Sequence, residues 1–188
     1  MWRLPVGYGL FVAGVCTAIV TTLDSGPEEV RATIRATAFT SSIPFLLVFV
    51  ASPLHRLQPS NLSRWLVRNR RYLGLSVAAS HASHLAAIVS LLVLYPPATP
   101  INRATLVFGG TGFVLLGLMA ATSNDASQRA LGRAWDVLHK VGLYVLWLDF
   151  IFTYMGTATS EPFHAVMTLA FAAVWTLRIV AFGTARRA

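Results

Sequence analysis

The stretch that decides the fold is residues 72–94, which read YLGLSVAASHASHLAAIVSLLVL and contain no Asp, Glu, Lys or Arg. A bilayer core about 30 Å thick requires roughly 20 apolar residues in a helix. The run does not alternate between apolar and polar residues, as a strand of a membrane barrel would. It therefore predicts a membrane-spanning α-helix.

Five more apolar runs of similar length flank this stretch. Hydrophobic residues make up 55% of the 188-residue chain and charged residues only 12%, whereas soluble domains carry about a quarter. The sequence therefore predicts an all-α bundle of six transmembrane helices in a single domain, 1–188. We expect the first run to be an uncleaved span rather than a signal peptide. The other five runs are residues 5–23, 34–54, 104–122, 131–155 and 162–182.

The positive charges lie almost entirely between the apolar runs. Ten of the Arg residues considered fall on one side of the predicted bundle and three on the other, so the first side is predicted to be cytoplasmic, with both termini there. The net charge of +8 is then explained by topology and by attraction to anionic lipid, and nucleic acid is not expected as a partner. The ten are Arg3, Arg56, Arg64, Arg68, Arg70, Arg71, Arg129, Arg133, Arg186 and Arg187, and the three are Arg31, Arg35 and Arg103.

Three histidines fall inside the predicted spans, where polar side chains usually have a function. His81 and His84 share one helix face, roughly 14 and 18 Å in from Tyr72. His139 is roughly 12 Å in from Leu131, on a helix predicted to run in the same direction. Two facing imidazoles in a helical bundle can be the axial ligands of a haem iron. The alternative is that these histidines only form hydrogen bonds between helices.

Other polar residues are weaker candidates. His164, near the start of the sixth run, is a reserve ligand or a contact for a quinone. Asp149 is an acid in the predicted outer half of the fifth helix, where it could carry protons, contact a quinone or only bond a neighbouring helix. His55 is expected at the interface, and Arg178 is expected to extend towards the headgroups. Cys16, the single cysteine, is expected to be a small apolar residue of the first span.

Several short motifs, taken in order, resemble one known family. They cover about residues 50–145, and they resemble the ferric reductase-like transmembrane domain family, within it the MsrQ (YedZ) group of bacterial haem-binding membrane subunits. The motifs are SPL at 52–54, RRYLGL at 70–75, LMAATS at 118–123, RALG at 129–132 and WDVLH at 135–139.

The resemblance implies a six-helix bundle in the bacterial cytoplasmic membrane, with b-type haem between the third and fifth helices. Electrons from a cytoplasmic-side or quinol donor would pass to an outer-side acceptor, in the MsrQ group a periplasmic methionine sulfoxide reductase. His84 and His139 match family ligands, and His81 is additional. Arg70, Arg71 and Arg133 lie where they could neutralise haem propionates, although topology alone also explains them. No flavin or nicotinamide domain is evident, so the donor is expected to be a separate molecule.

One departure from the family pattern leaves the haem site open. The family has another histidine about thirteen residues after the one matching His139, whereas residues 149–154 read DFIFTY. Haem could be held by His139 with His81 or His84, or by an unusual ligand such as His164, or it could be lost. The leading interpretation is a cytochrome b-type electron-transfer subunit that binds one haem b. The alternatives are a cofactor-free accessory subunit of a larger membrane complex and a small proton-coupled transporter that uses Asp149.

Overall fold

Seven α-helices account for nearly all of the described chain in the computed structural model. The structure describes residues 3–96, 102–156, 158–159 and 161–183, with the side chains of residues 104 and 105 left out, and no strand occurs in these ranges. Arg186 and Arg187, which count towards the predicted cytoplasmic side, lie outside the described residues. The helices are α1 Arg3–Thr22, α2 Pro27–Leu57, α3 Asn61–Leu94, α4 Arg103–Ala121, α5 Asp125–Leu131, α6 Arg133–Met155 and α7 Pro162–Gly183.

The helices have the length and composition of membrane spans. Within the described ranges, α1, α2, α3, α6 and α7 are each long and apolar enough to cross a bilayer, and α4 with α5 forms a pair bent by 106° that makes a sixth only if the pair is a single span. Large apolar side chains face outward: Leu10, Val93 and Leu169 are 70%, 71% and 69% exposed. Exposed apolar side chains of this kind are stable in contact with lipid, whereas their exposure to water would be unfavourable. The predicted all-α membrane fold is confirmed, while the orientation of the termini stays a prediction.

The helix boundaries differ from the apolar runs for local chemical reasons. The run predicted at 131–155 is preceded by a separate short helix, α5, whose N-cap Asn124 accepts a hydrogen bond from the backbone N–H of Ser127 at 2.8 Å. Gly132 ends α5 with φ of 50°, a left-handed conformation that favours glycine, and α6 starts at Arg133. The helices α2 and α3 are longer than their apolar runs, at 31 and 34 residues, because their polar ends continue the helix.

The chain forms two compact units, and the helices α2 and α3 each contribute to both. Unit 1 comprises Met1–Phe45 and Tyr72–Ala120, and unit 2 comprises Leu46–Arg71 and Ala121–Ala188. In unit 1, α1 packs on α2 through the Tyr8 hydroxyl, which donates to the carbonyl of Thr40, and Val12 of α1 is 1% exposed. The interior between α2 and α3 in this unit is rich in buried hydroxyl groups, including Thr37, Ser41 and Ser80.

Unit 2 has an aromatic core between α6 and α7. The Trp147 and Trp175 rings stack at 4.3 Å between centroids, and the Trp147 indole N–H donates to the carbonyl of Phe171 at 3.2 Å. Phe49, in the α2 part of this unit, lies 6.2 Å from each indole and is fully buried. Rings of this size bury large apolar areas, so they fix the packing of α6 on α7.

Candidate functional site

Buried hydroxyl groups bring α2 and α3 together around two of the three membrane histidines. The Thr40 and Ser80 hydroxyl oxygens lie 2.8 Å apart, and the Ser80 hydroxyl is 3.3 Å from the carbonyl of Thr37. Small residues at these positions allow close helix packing, and their hydroxyls bond across the contact. The small residues of the α3 sequence therefore position its histidines against the backbone of α2.

His84 is held by α2 through its Nδ1 atom. This nitrogen lies 3.1 Å from the carbonyl oxygen of Ile34 and 3.1 Å from the hydroxyl of Thr37. A carbonyl oxygen can only accept, so Nδ1 carries the proton and donates it. In the neutral ring the lone pair is then on Nε2, which is the tautomer that a histidine needs to ligate a metal through Nε2.

His81 is held in the same way by a different residue of α2. Its Nδ1 lies 3.1 Å from the Ser41 hydroxyl. That hydroxyl has its own acceptors, the carbonyls of Thr37 at 2.8 Å and Ala38 at 3.0 Å, so it accepts from the imidazole. The lone pair of neutral His81 is therefore also on Nε2.

The two imidazoles of unit 1 form one cluster with an aromatic ring from α4. The centroids of His81 and His84 are 5.2 Å apart, and the Phe113 ring is 4.8 Å from His81 and 6.1 Å from His84. Apolar packing around metal-ligating histidines limits water access. This cluster confirms that the i, i+3 spacing places both rings on one face of α3, and it adds Phe113, which the sequence did not indicate.

His139 is positioned within α6 by the residue one turn before it. Its Nδ1 lies 3.1 Å from the carbonyl oxygen of Trp135, so this nitrogen also donates, and Nε2 is the buried nitrogen. The Trp135 indole stacks on the imidazole at 3.8 Å between centroids. The indole N–H in turn donates to the carbonyl of Thr122 at 2.9 Å. The sequence reasoning missed Trp135 as a positioning residue, although the i, i+4 spacing of Trp and His in WDVLH was a signal for it.

The three predicted propionate arginines have different surroundings. Arg70 donates to the Ser52 hydroxyl at 3.0 Å and is half-buried. Arg71 forms an ion pair with Asp125 of α5, which neutralises its charge within the protein. Arg133 is exposed at the first residue of α6. Among these three, Arg70 is the guanidinium best placed to neutralise a buried anion.

Arg178 is held inside unit 2 rather than extended towards the headgroups. Its Nε donates to the Tyr144 hydroxyl at 3.1 Å and its Nη1 to the carbonyl of Phe49 at 3.2 Å. The guanidinium also lies over the Phe49 ring at 4.8 Å and the Tyr144 ring at 5.2 Å. The two acceptors and the ring faces hold the half-buried guanidinium within unit 2, which the sequence-based expectation of snorkelling did not include.

The two reserve residues lie on the α6–α7 side of unit 2. Asp149 is half-buried in the C-terminal third of α6, and its backbone carbonyl accepts from the Thr153 hydroxyl at 2.7 Å. His164 is in the first turn of α7, where its ring packs 5.4 Å from Tyr154 and 5.8 Å from Phe163. Their roles in proton transfer, quinone binding or haem ligation stay predictions.

The described residues offer paired imidazoles rather than a closed metal cage. Across the described ranges no group of three or more His, Cys, Asp or Glu side chains could enclose a metal ion. Haem iron needs only two axial protein ligands, since the porphyrin supplies the other four. The fixed tautomers, which place the lone pair of each neutral ring on Nε2, are therefore compatible with haem ligation.

The chain is similar to the MsrQ haem-binding subunits. Two curated relatives carry the name protein-methionine-sulfoxide reductase heme-binding subunit MsrQ. The one from Klebsiella pneumoniae (strain 342) is 38% identical over 105 residues, which are 52% of this chain and 51% of the relative. The one from Cronobacter sakazakii (strain ATCC BAA-894) is 36% identical over 100 residues, 50% of this chain and 48% of the relative.

These similarities confirm the resemblance to the MsrQ group. The chain spans about half the length of the curated relatives it matches. No protein-family model matches the chain, and no solved structure matches it. The wider ferric reductase-like assignment accordingly stays a prediction.

Proposed function

We propose that this chain is a haem-binding electron-transfer subunit of the bacterial cytoplasmic membrane, with a b-type haem. The observation that carries the proposal is the common tautomer of His81, His84 and His139, each of which has Nδ1 engaged and its lone pair on Nε2. Similarity to proteins named as haem-binding subunits supports the same conclusion. When bound, haem supplies a one-electron iron couple within the bilayer.

His139 is the first candidate ligand, with His81 or His84 as the second. His139 and His84 match the haem ligands of the family that the chain resembles. The Nδ1 atom of His81, like that of His84, bonds an acceptor on α2. Carbonyl and hydroxyl acceptors at Nδ1 orient a ligating imidazole and raise its basicity. Arg70 is the candidate partner for a propionate, since Arg71 already has Asp125. We also propose that a quinone binds near Asp149 or His164.

Electron donor and acceptor are proposed as separate molecules. The donor is a cytoplasmic-side reductase or a quinol, and the acceptor is a partner protein on the outer side of the membrane. By similarity to the MsrQ subunits, a methionine sulfoxide reductase is the partner to test first. The chain itself then acts as a redox subunit of an oxidoreductase rather than as the site of substrate chemistry.

The proposal is tested by a reduced-minus-oxidised visible spectrum of the purified chain, with a pyridine haemochrome assay for stoichiometry. We expect a b-type signal that is lost in His139→Ala and in one of His81→Ala or His84→Ala. His55→Ala is the matched control, because His55 bonds Ser63 outside the membrane histidine cluster, and it should keep the signal. A normal spectrum in His139→Ala would overturn the ligand assignment.

The runner-up is a cofactor-free accessory subunit, and one observation favours it. Phe152, at the position where the family has its further histidine, is 56% exposed, while Phe150 and Tyr154 are buried in unit 2. The position thus has an outward apolar side chain in place of a ligand. Protein without haem from a haem-replete host, recovered in fixed ratio with other membrane subunits, would favour this reading.

A further inference from the structure

An open cavity of about 330 Å³ lies where α2 ends and α3 begins. It is lined by His55, Arg64, Val67 and Arg68, and we call it the basic cavity. All four residues belong to unit 2 and none of them is a candidate haem ligand. Arg64 and Arg68 are four residues apart on α3, so both guanidiniums are on the same face of the helix.

The basic cavity lies between the predicted spans 34–54 and 72–94, on turns of α2 and α3 that these spans leave out. The 34 residues of α3 span about 51 Å at 1.5 Å per residue, against a core of about 30 Å. The first turns of α3 also expose apolar side chains next to the cavity, with Leu62 61% and Trp65 40% exposed. Exposed Trp and Leu beside Arg are typical of the headgroup region, where aromatic rings and basic residues anchor a helix.

The positive charge of the basic cavity is not neutralised from within its own segment. Residues 46–71 contain five Arg and no Asp or Glu. Arg64 bonds the neutral amide of Asn61 at 2.5 Å, and the first turn of α3 has no acidic residue. The positive end of the α3 dipole adds to the same field. A bound anion would therefore neutralise the positive charge of this site.

The floor of the basic cavity is held in place by hydrogen bonds. The Nδ1 of His55 lies 3.1 Å from the Ser63 hydroxyl, which is fully buried. The same hydroxyl accepts from the backbone N–H of Ser60 at 2.9 Å. These bonds tie the end of α2 to the first turn of α3, so the lining residues are positioned before any ligand binds.

We propose that the basic cavity binds the phosphate headgroup of an anionic phospholipid. Two guanidiniums can bond phosphate oxygens in a fork geometry, and basic pockets between membrane helices accept such headgroups. Val67 gives the cavity an apolar wall, which suits the glycerol and acyl part of a lipid. A free phosphate ion presents the same oxyanion as the lipid headgroup. The position of the basic cavity at headgroup depth favours the lipid.

The test measures the gain in thermal stability of the purified 188-residue chain in neutral detergent on titration with lipid. Phosphatidylglycerol is expected to stabilise it at lower concentration than phosphatidylcholine. The double variant Arg64→Gln with Arg68→Gln should bind phosphatidylglycerol roughly 30-fold more weakly, and Arg68→Gln alone about fivefold, with phosphatidylcholine unchanged. The control is Arg35→Gln with Arg103→Gln, two exposed arginines outside the cavity that remove the same charge.

Two outcomes would overturn the proposal. One is a double variant that keeps the full preference for phosphatidylglycerol, or a control pair that loses it equally, since the effect would then reflect net charge. The other is competition by inorganic phosphate or flavin mononucleotide at the affinity of the lipid, which would assign the cavity to a soluble phosphate ligand. Helical circular dichroism of each variant establishes that it is folded; Arg64 and Arg68 are exposed, so their replacement should not disturb packing.

Discussion

At the scale of single residues, the acceptors at Nδ1 define what each membrane histidine can do. The acceptor of His139 is the carbonyl of Trp135 in its own helix, whereas those of His81 and His84 come from α2, at sequence separations of 40 and 50 residues. A neutral histidine whose Nδ1 carries the proton has its lone pair on Nε2, the nitrogen through which it would ligate a metal. This arrangement also allows the two histidines of α3 to be distinguished by experiment.

Removing the α2 hydroxyl group that bonds each α3 histidine should identify which of the two histidines ligates haem. Ser41→Ala removes the acceptor of His81, and Thr37→Val removes one acceptor of His84 at almost constant volume. Weaker hydrogen bonding at Nδ1 makes the ligand less basic and favours ferrous iron, so the midpoint potential should rise in the variant next to the true ligand only. A redox titration followed by visible absorbance measures it, each variant serving as the control of the other. A shift in neither would argue against both residues.

Trp135 is expected to act as the positioning residue for His139. Trp135→Ala removes the stacked ring and the bond to Thr122, so haem affinity should fall roughly tenfold or more, while Trp135→Phe should retain part of it. The measurement is haem retention on titration of the apoprotein, with electron paramagnetic resonance to detect altered ligand orientation. Trp65→Phe, an exposed tryptophan on α3, is the matched control. Unchanged haem affinity in Trp135→Ala would remove Trp135 from the site.

At the scale of elements, the break between α5 and α6 sets where the His139 helix starts. Gly132 combines φ of 50° with ψ of −120°, which an L side chain rarely adopts. We expect Gly132→Ala to lower the free energy of unfolding by about 1–3 kcal/mol because it strains this connection. Gly117→Ala is the control, since Gly117 lies inside α4 with nothing within 4 Å of an added Cβ. Unfolding in mixed detergent micelles measures both; equal stability of the two variants would contradict the strain argument.

At the scale of the whole molecule, the side of the membrane on which each helix connection lies can be measured directly. The distribution of arginine predicts that the α2–α3 connection is cytoplasmic and that the start of α4 is outside. In a Cys16→Ser background, Arg103→Cys should react with a membrane-impermeant thiol reagent in intact cells, and Arg68→Cys only after permeabilisation. The cysteine-free background is the control. The reverse labelling pattern would invert the predicted direction of electron transfer.

The number of long apolar segments, the all-α membrane class and the shared face of His81 and His84 follow from the sequence, because hydropathy and helical spacing are properties of neighbouring residues. The similarity to the MsrQ subunits was also evident from short ordered motifs. The pairing of His139 with His81 or His84, and the cytoplasmic position of the termini, stay predictions.

The tertiary structure alone decided how individual side chains are held. The separation of α5 from α6 depends on a backbone conformation at Gly132, and the acceptors of His81 and His84 depend on how α2 packs against α3. Arg178 lies among Phe49 and Tyr144, which are 129 and 34 residues away in the chain. The amino-acid sequence by itself therefore determined which segments are long and apolar enough to span a membrane, since transfer into lipid is governed by local composition. Only the packing decided tautomer, ion pairing and cavity, since these require atoms from distant parts of the chain to be within hydrogen-bonding distance.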